Sequence, residues 1–289
     1  MENNHLETTE VEIEAKHEEH ESTLYAPTVF HIGQIPVTTA MMSSFFVLIL
    51  IVALALTIRA SIKKVPGKLQ SFFEILYTGA LDLAVSITGD IKLARKLLPL
   101  SIGVFFFVLL NNWIGLLPLG FLTFSNSIGH APILRSATAD INTTLAIALI
   151  SVLGANIFGA FSIGLWKTVN KYVNISALAA IPRKVRRDPS VLMMAPITFF
   201  VGVLELVGEG AKIASLSFRL FGNVFAGEVL LAAMASILPF ILPVPFLFLE
   251  VMVGVIQALI FAVLVLVYFY IGSQDHSDHD EHEEKHAHA

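Results

Sequence analysis

A single arginine, Arg219, stands in an otherwise apolar run, Ser215-Leu-Ser-Phe-Arg-Leu-Phe-Gly-Asn-Val-Phe-Ala-Gly-Glu228. Its guanidinium is permanently charged and cannot escape hydrocarbon by losing a proton. Placing it near a bilayer centre costs about 2.5–3.5 kcal/mol on insertion scales, so such a residue is retained where it has a partner or a task. No acid lies at i±3 or i±4; Ser215 and Asn223 occupy i−4 and i+4 and line the same face. Glu228 falls on the opposite face, roughly 13 Å further along the helix axis. Arg219 is therefore expected to face a group outside its own helix, and an acid from another subunit is the matching chemistry. Glu205 and Glu209 precede it, Glu228 follows it, and Glu250 and Gln257 belong to the next apolar segment. Protonatable groups on both sides of one permanent cation form the layout for two proton half-paths that must not join directly.

The elements that must position these residues follow from the distribution of charge. Of 289 residues, 55% are hydrophobic and 14% charged, with a mean hydropathy of +0.76; soluble domains carry about 25% charged residues. The charges are clustered, with long uncharged spans between them. Between Met41 and Gly272 there are 16 Lys and Arg against nine Asp and Glu, so the net −5 is set by acidic tails. The absence of cysteine excludes disulfide and thiolate chemistry.

Residues 1–30 read as an acidic external tail, 31–272 as a membrane domain, and 273–289 as a His- and acid-rich cytoplasmic tail. Spans are expected over about 41–60, 97–118, 141–166, 191–239 and 246–272. The first is followed by Arg59, Lys63, Lys64 and Lys68, and it serves as the insertion signal. Residues 68–88 carry Phe72, Phe73, Leu76 and Leu83 with Glu74 and Asp82, the pattern of an amphipathic helix on the membrane surface. Residues 97–134 hold no charge, and Pro118 and Gly120 divide a span from an external connection. Asp140 caps the next helix, whose Gly154, Gly159 and Gly164 suit close helix contacts. Lys167, Lys171, Arg183, Lys184, Arg186 and Arg187 form the strongest basic loop, so all three basic clusters fall on the cytoplasmic side. A helix over 191–239 would be roughly 70 Å long against a hydrocarbon core of about 30 Å. It must be steeply tilted, broken, or both, and Pro239, Pro243 and Pro245 end it. The expected fold is an all-α integral membrane protein: about five membrane helices and one interfacial amphipathic helix, the last two long, tilted and antiparallel.

The run around Arg219 resembles the signature of subunit a of the membrane (Fo) sector of the bacterial F-type ATP synthase. Val65-Pro-Gly-Lys68, Asn112 with Leu116-Leu-Pro118, Ala139-Asp-Ile-Asn-Thr-Thr-Leu145 and Gln257 resemble the same family in the right order. This resemblance, over about residues 30–272, implies a stator subunit in which Arg219 meets the essential carboxylate of a rotating c-subunit ring. Glu228, Glu250, Asn223 and Gln257 would line the outer half-channel, and Glu205 and Ser215 the inner path. It also implies a b-subunit peripheral stalk as partner, a bacterial inner (plasma) membrane with the N-terminus outside and the C-terminus cytoplasmic, and no ATP site. The chain departs from many members in having acids at both Glu228 and Glu250, and Gly115 where some have an acid.

No cofactor, metal or nucleic-acid partner is expected. No phosphate-binding glycine loop, nucleophile elbow or zinc helix is present. The five histidines among acids in the C-terminal tail read as a solvated segment, with weak divalent-metal binding as the alternative. The structural readings are an Arg219 bonded to carbonyls, Asn112, Asn142, Asn156, Asn223 and Gln257 as packing amides, and Lys212 with Glu209 as a local pair. A secondary transporter or channel with Arg219 at an anionic-substrate site calls for inverted repeats, and no matching second half is found. A membrane-embedded enzyme calls for a paired catalytic constellation, and no His or Ser is placed to act with an acid at depth.

Overall fold

The computed structural model describes residues 26–33, 35–116, 123–126, 129–132, 135–164, 191–239 and 241–274. Residues 1–25 and 275–289 of the two tails and the basic loop from Lys167 to Arg187 lie outside them. Six long helices account for most of what is described: α1 (Thr39–Ser61), α2 (Lys68–Thr88), α3 (Ile91–Leu116), α4 (Ile141–Ile163), α5 (Val191–Ile237) and α6 (Pro243–Ser273). Their ends follow local rules. Gly89 stops α2 with φ 67°, and its N–H bonds the Val85 carbonyl at 2.8 Å, a left-handed C-terminal cap. Asp90 then accepts the Lys92 N–H at 2.9 Å, which starts α3 at Ile91, ahead of the uncharged stretch from Leu97. Asp140 caps α4, accepting from the Asn142 N–H and the Thr143 hydroxyl, both at 3.2 Å. Helix α5 runs unbroken for 47 residues.

Two antiparallel hairpins were not expected: β1 (Thr28–Ile32) with β2 (Ile35–Thr38), and β3 (Thr123–Asn126) with β4 (Gly129–Pro132). The first turns at Gly33, φ 65°, a conformation glycine adopts without a Cβ penalty. Its end is tied to α1 by the Met41 N–H, which bonds the Thr38 hydroxyl at 3.3 Å.

All six helices are long and apolar enough to cross a membrane, the least hydropathic candidate being Gln70–Thr88. Large apolar side chains point outward, among them Phe45, Ile150, Phe161, Phe200, Phe218 and Phe248. Such a surface is unstable in water and is the one a lipid solvent requires. An all-α membrane protein is therefore the observed class.

Contacts divide the chain into two compact units. The first comprises Met1–Thr57, Phe106–Thr144 and Phe218–Ala258. Val47, Val108, Leu220 and Ala258 are fully buried there. A strap ahead of α4 is sewn into it: the Ser136 hydroxyl donates to the Asn111 carbonyl at 3.0 Å, and the Thr138 hydroxyl to Asn112 Oδ1 at 2.9 Å. Gly115 admits the strap, since a Cβ there would come within 2.6 Å of Ser136 Cβ.

The second unit comprises Ile58–Phe105, Leu145–Ser217 and Leu259–Ala289. Its core is Ala84, Ala94, Leu97, Leu98 and Leu266, with Phe158 and Phe269 packed against it. Helices α4 and α6 meet through small residues: a Cβ at Gly159 would overlap the Gly272 carbonyl, and one at Gly272 would lie 2.8 Å from the Ala155 oxygen. Gly164 has a different task from its two predecessors. At φ 111° it ends α4, and a Cβ there would meet nothing within 4 Å.

Gly159→Ala should therefore force backbones apart and cost about 1–3 kcal/mol. Gly154→Ala, facing only the rim of the Phe269 ring at 3.4 Å, should cost far less. Thermal unfolding of the purified protein in detergent distinguishes them, and equal midpoints would refute the backbone contact.

Candidate functional site

Helix α5 carries Glu205, Glu209, Lys212, Ser215, Arg219, Asn223 and Glu228. Arg219 and Ser215, one turn apart, are exposed, as is Phe218 beside them, while Leu216, Ser217, Leu220 and Phe221 turn inward. Among the described residues Arg219 makes no hydrogen bond or ion pair with another side chain. Asn223 is half-buried, and its Nδ2 has no partner among the described residues; the same is true of Nε2 of Gln257, which is buried on α6. Asn223 thus turns its amide nitrogen inward rather than sharing the fully exposed face of Ser215 and Arg219.

Within the first unit the structure brings Glu228 and Glu250 together. The Glu250 carboxyl lies against Gly227, the residue next to Glu228, where any Cβ would collide with it. Glycine at 227 is therefore what lets an α6 carboxyl reach α5. Glu228 has a second neighbour that sequence reasoning passed over. Arg135, in the strap before α4, donates from Nη2 at 2.9 Å and from Nε at 3.3 Å to the same oxygen, Glu228 Oε2. Both side chains are largely buried, with 15% and 24% of their surface exposed, so this is an ion pair shielded from solvent. Its signal was present: Arg135 is the first charge after the uncharged stretch 97–134, and it lies far from the basic clusters.

The strap that carries Arg135 is fixed on two sides. Asn112, which accepts from Thr138, approaches the Gly254 carbonyl at 3.5 Å, and the Trp113 indole N–H approaches the Val251 carbonyl at 3.4 Å. Asn112 is thus a packing amide between α3, the strap and α6.

In the second unit Glu209 accepts from Lys212 Nζ at 2.7 Å and from Asn156 Nδ2 at 3.3 Å. Lys212 also stands 5.5 Å over the Tyr268 ring. These four side chains line a small cleft with Val152, Ala155, Ile271 and Gly272. Glu205 is half-buried on the same stretch of α5. No group of three or more His, Asp or Glu that could hold a metal occurs among the described residues.

Comparison with known proteins gives a consistent picture. Residues 40–270 match the family model described as ATP synthase A chain. The chain is 34% identical over 249 residues to ATP synthase subunit a of Mycobacterium bovis, covering 84% of this chain and 89% of that protein. It is 32% identical to ATP synthase subunit a of Syntrophobacter fumaroxidans, over 81% of this chain and 83% of the relative. The corresponding protein of Gloeobacter violaceus is also 32% identical, over 83% and 85%.

The contact at Gly227 makes a coupled prediction. Gly227→Ala should destabilise by about 1–3 kcal/mol, because its methyl group displaces the Glu250 carboxyl. In a Glu250→Ala background the same change should cost less than ~1 kcal/mol. A double-mutant cycle on thermal unfolding measures the coupling, and additive effects would count against the contact.

Proposed function

As this chain belongs to the ATP synthase A chain family, we propose that it forms two proton half-channels beside the c-subunit ring and couples proton passage to ring rotation through Arg219. The chain is a multi-pass membrane subunit of the Fo sector, works with other ATP synthase subunits, and is not the catalytic one. The observation that carries the finer reading is the exposed Arg219 guanidinium, without an ion partner among the described residues, on an unbroken 47-residue apolar helix.

In this reading each c-subunit carboxylate meets Arg219 as it passes, gives up its proton to the inner path, and is reloaded from the outer one. Glu228, Glu250, Asn223 and Gln257 line the outer half-channel, and the two buried amide nitrogens on Asn223 and Gln257 suit a polar, wetted route. Glu205 and Ser215 belong to the inner path. The permanent charge of Arg219 repels a proton trying to run straight from one to the other. The electrical drive is about 2.3 kcal/mol per charge per 100 mV. A b-subunit stalk holds the subunit against the torque. The membrane is the bacterial inner membrane, with the N-terminus outside and the C-terminus cytoplasmic, as the basic clusters on one side favour. Helix α2 lies at the interface: it exposes Phe72, Ile75, Leu76 and Tyr77 together with Glu74 and Asp82, a mixed face suited to the headgroup boundary.

Arg219→Ala should reduce ATP-driven acidification of inverted membrane vesicles to the level of vesicles lacking the subunit, with ATP hydrolysis and immunoblotting confirming assembly. Acidification at the wild-type rate in that variant would sink the reading.

A further inference from the structure

We propose that Arg135 is a positioning residue that makes the two neighbouring acids unequal, locking Glu228 into a fixed ion pair and leaving Glu250 as the group that carries protons. The inference rests on the half-channel reading above and assigns within it a division of labour that the two carboxyls alone do not define.

Three observations carry it. The guanidinium engages one oxygen of Glu228 with two nitrogens, at 2.9 and 3.3 Å, in a largely buried setting. Its backbone is anchored: Ser136 bonds the Asn111 carbonyl at 3.0 Å, the Ser136 and Thr138 hydroxyls lie 2.7 Å apart, and Thr138 bonds Asn112 at 2.9 Å. A cation on such a strap is held where it is, unlike one on a free loop. Glu250, by contrast, rests its carboxyl on Gly227 and has no ion pair or hydrogen bond to a described residue.

The charged groups described in this unit are Arg135, Asp140, Arg219, Glu228 and Glu250. Asp140 is engaged in capping α4 and Arg219 is unpaired, so Arg135 is the counter-charge of Glu228. Two adjacent carboxylates without that cation would be equivalent, each facing the other's like charge. With it, Glu228 neither gains nor loses a proton through the cycle. Glu250 takes one from the aqueous side, passes it to the ring carboxylate, and returns to its anion.

The test uses the assembled complex in inverted vesicles, with immunoblotting for the subunit, and measures ATP-driven acidification normalised to ATP hydrolysis. Arg135→Gln should lower coupling about tenfold, and Arg135→Lys should retain more coupling than Arg135→Gln, because it keeps the charge while losing the two-nitrogen contact. Adding Glu228→Gln to Arg135→Gln should restore coupling several-fold over the single variant, since a neutral side chain needs no counter-ion. Glu250→Gln should be inactive in both backgrounds. A merely structural Arg135 would not give rescue by removal of its partner's charge. Wild-type coupling in Arg135→Gln, a double variant no better than the single one, or an active Glu250→Gln would each overturn the proposal. If Arg219→Ala also pumps normally, the half-channel reading itself has failed. If Arg219→Ala is silent while Arg135→Gln is normal, only the present proposal has.

Discussion

A charge on an apolar membrane helix has to be paired, wetted or used, and helix α5 carries five ionisable residues: Glu205, Glu209, Lys212, Arg219 and Glu228. Most of that burden is discharged within the chain. Glu209 and Lys212 satisfy each other at 2.7 Å with help from Asn156, and Glu228 is matched by Arg135 from a different element. Glu205 also has a partner. Breaking one side of a buried pair costs about 3–5 kcal/mol; of the two pairs Arg135–Glu228 ties the helix to another element, whereas Glu209–Lys212 is local to α5 and partly exposed. Arg219 is the exception among the five. Its exposed guanidinium keeps its bonding capacity for something the described residues do not supply.

Lipid provides no hydrophobic force between helices, so close packing and internal hydrogen bonds must do that work. The two units solve the problem differently. In the second, Gly159, Gly272 and Ala155 let α4 and α6 bring backbone against backbone. In the first, hydroxyls and amides are threaded through the strap from Asn111 to Ser136, Thr138 and Asn112, and on to Gly254. The polar solution is specific in direction as well as distance. It is found in the unit that holds Arg135, Glu228 and Glu250.

The helices were legible because their signals are long and redundant: uncharged runs, bounding basic clusters, and Gly or Asp at the ends. Asp140 as a cap and the Glu209–Lys212 pair followed from spacing, and Asn112 as a packing amide from the usual role of such side chains between membrane helices. The hairpins were missed because four- and five-residue strands leave little periodicity, although Gly33 among Thr, Val and Ile residues was a usable cue. Gly164 was misread because a glycine that ends a helix and one that packs against a neighbour look the same in sequence. Arg135 escaped for a deeper reason. Its partner Glu228 is 93 residues away, and no local rule links a loop cation to a carboxyl on a distant helix.

That long-range pair changes what the neighbouring acid experiences. An isolated Glu228 carboxylate would present Glu250 with a full like charge at close range, in a medium that screens weakly. Joined to Arg135, it presents a neutral pair instead, whose field falls off faster with distance than that of a single charge. On the proposed division of labour, Glu250 then loses and regains its charge against a weaker opposing field than a bare Glu228 carboxylate would exert. The strap must be rigid for the same reason. A guanidinium free to swing could pair with either carboxylate, and the two acids would become equivalent again. The hydroxyl chain through Ser136 and Thr138 removes that freedom, and so the asymmetry between two chemically identical side chains is set by backbone anchoring a few residues away from either of them.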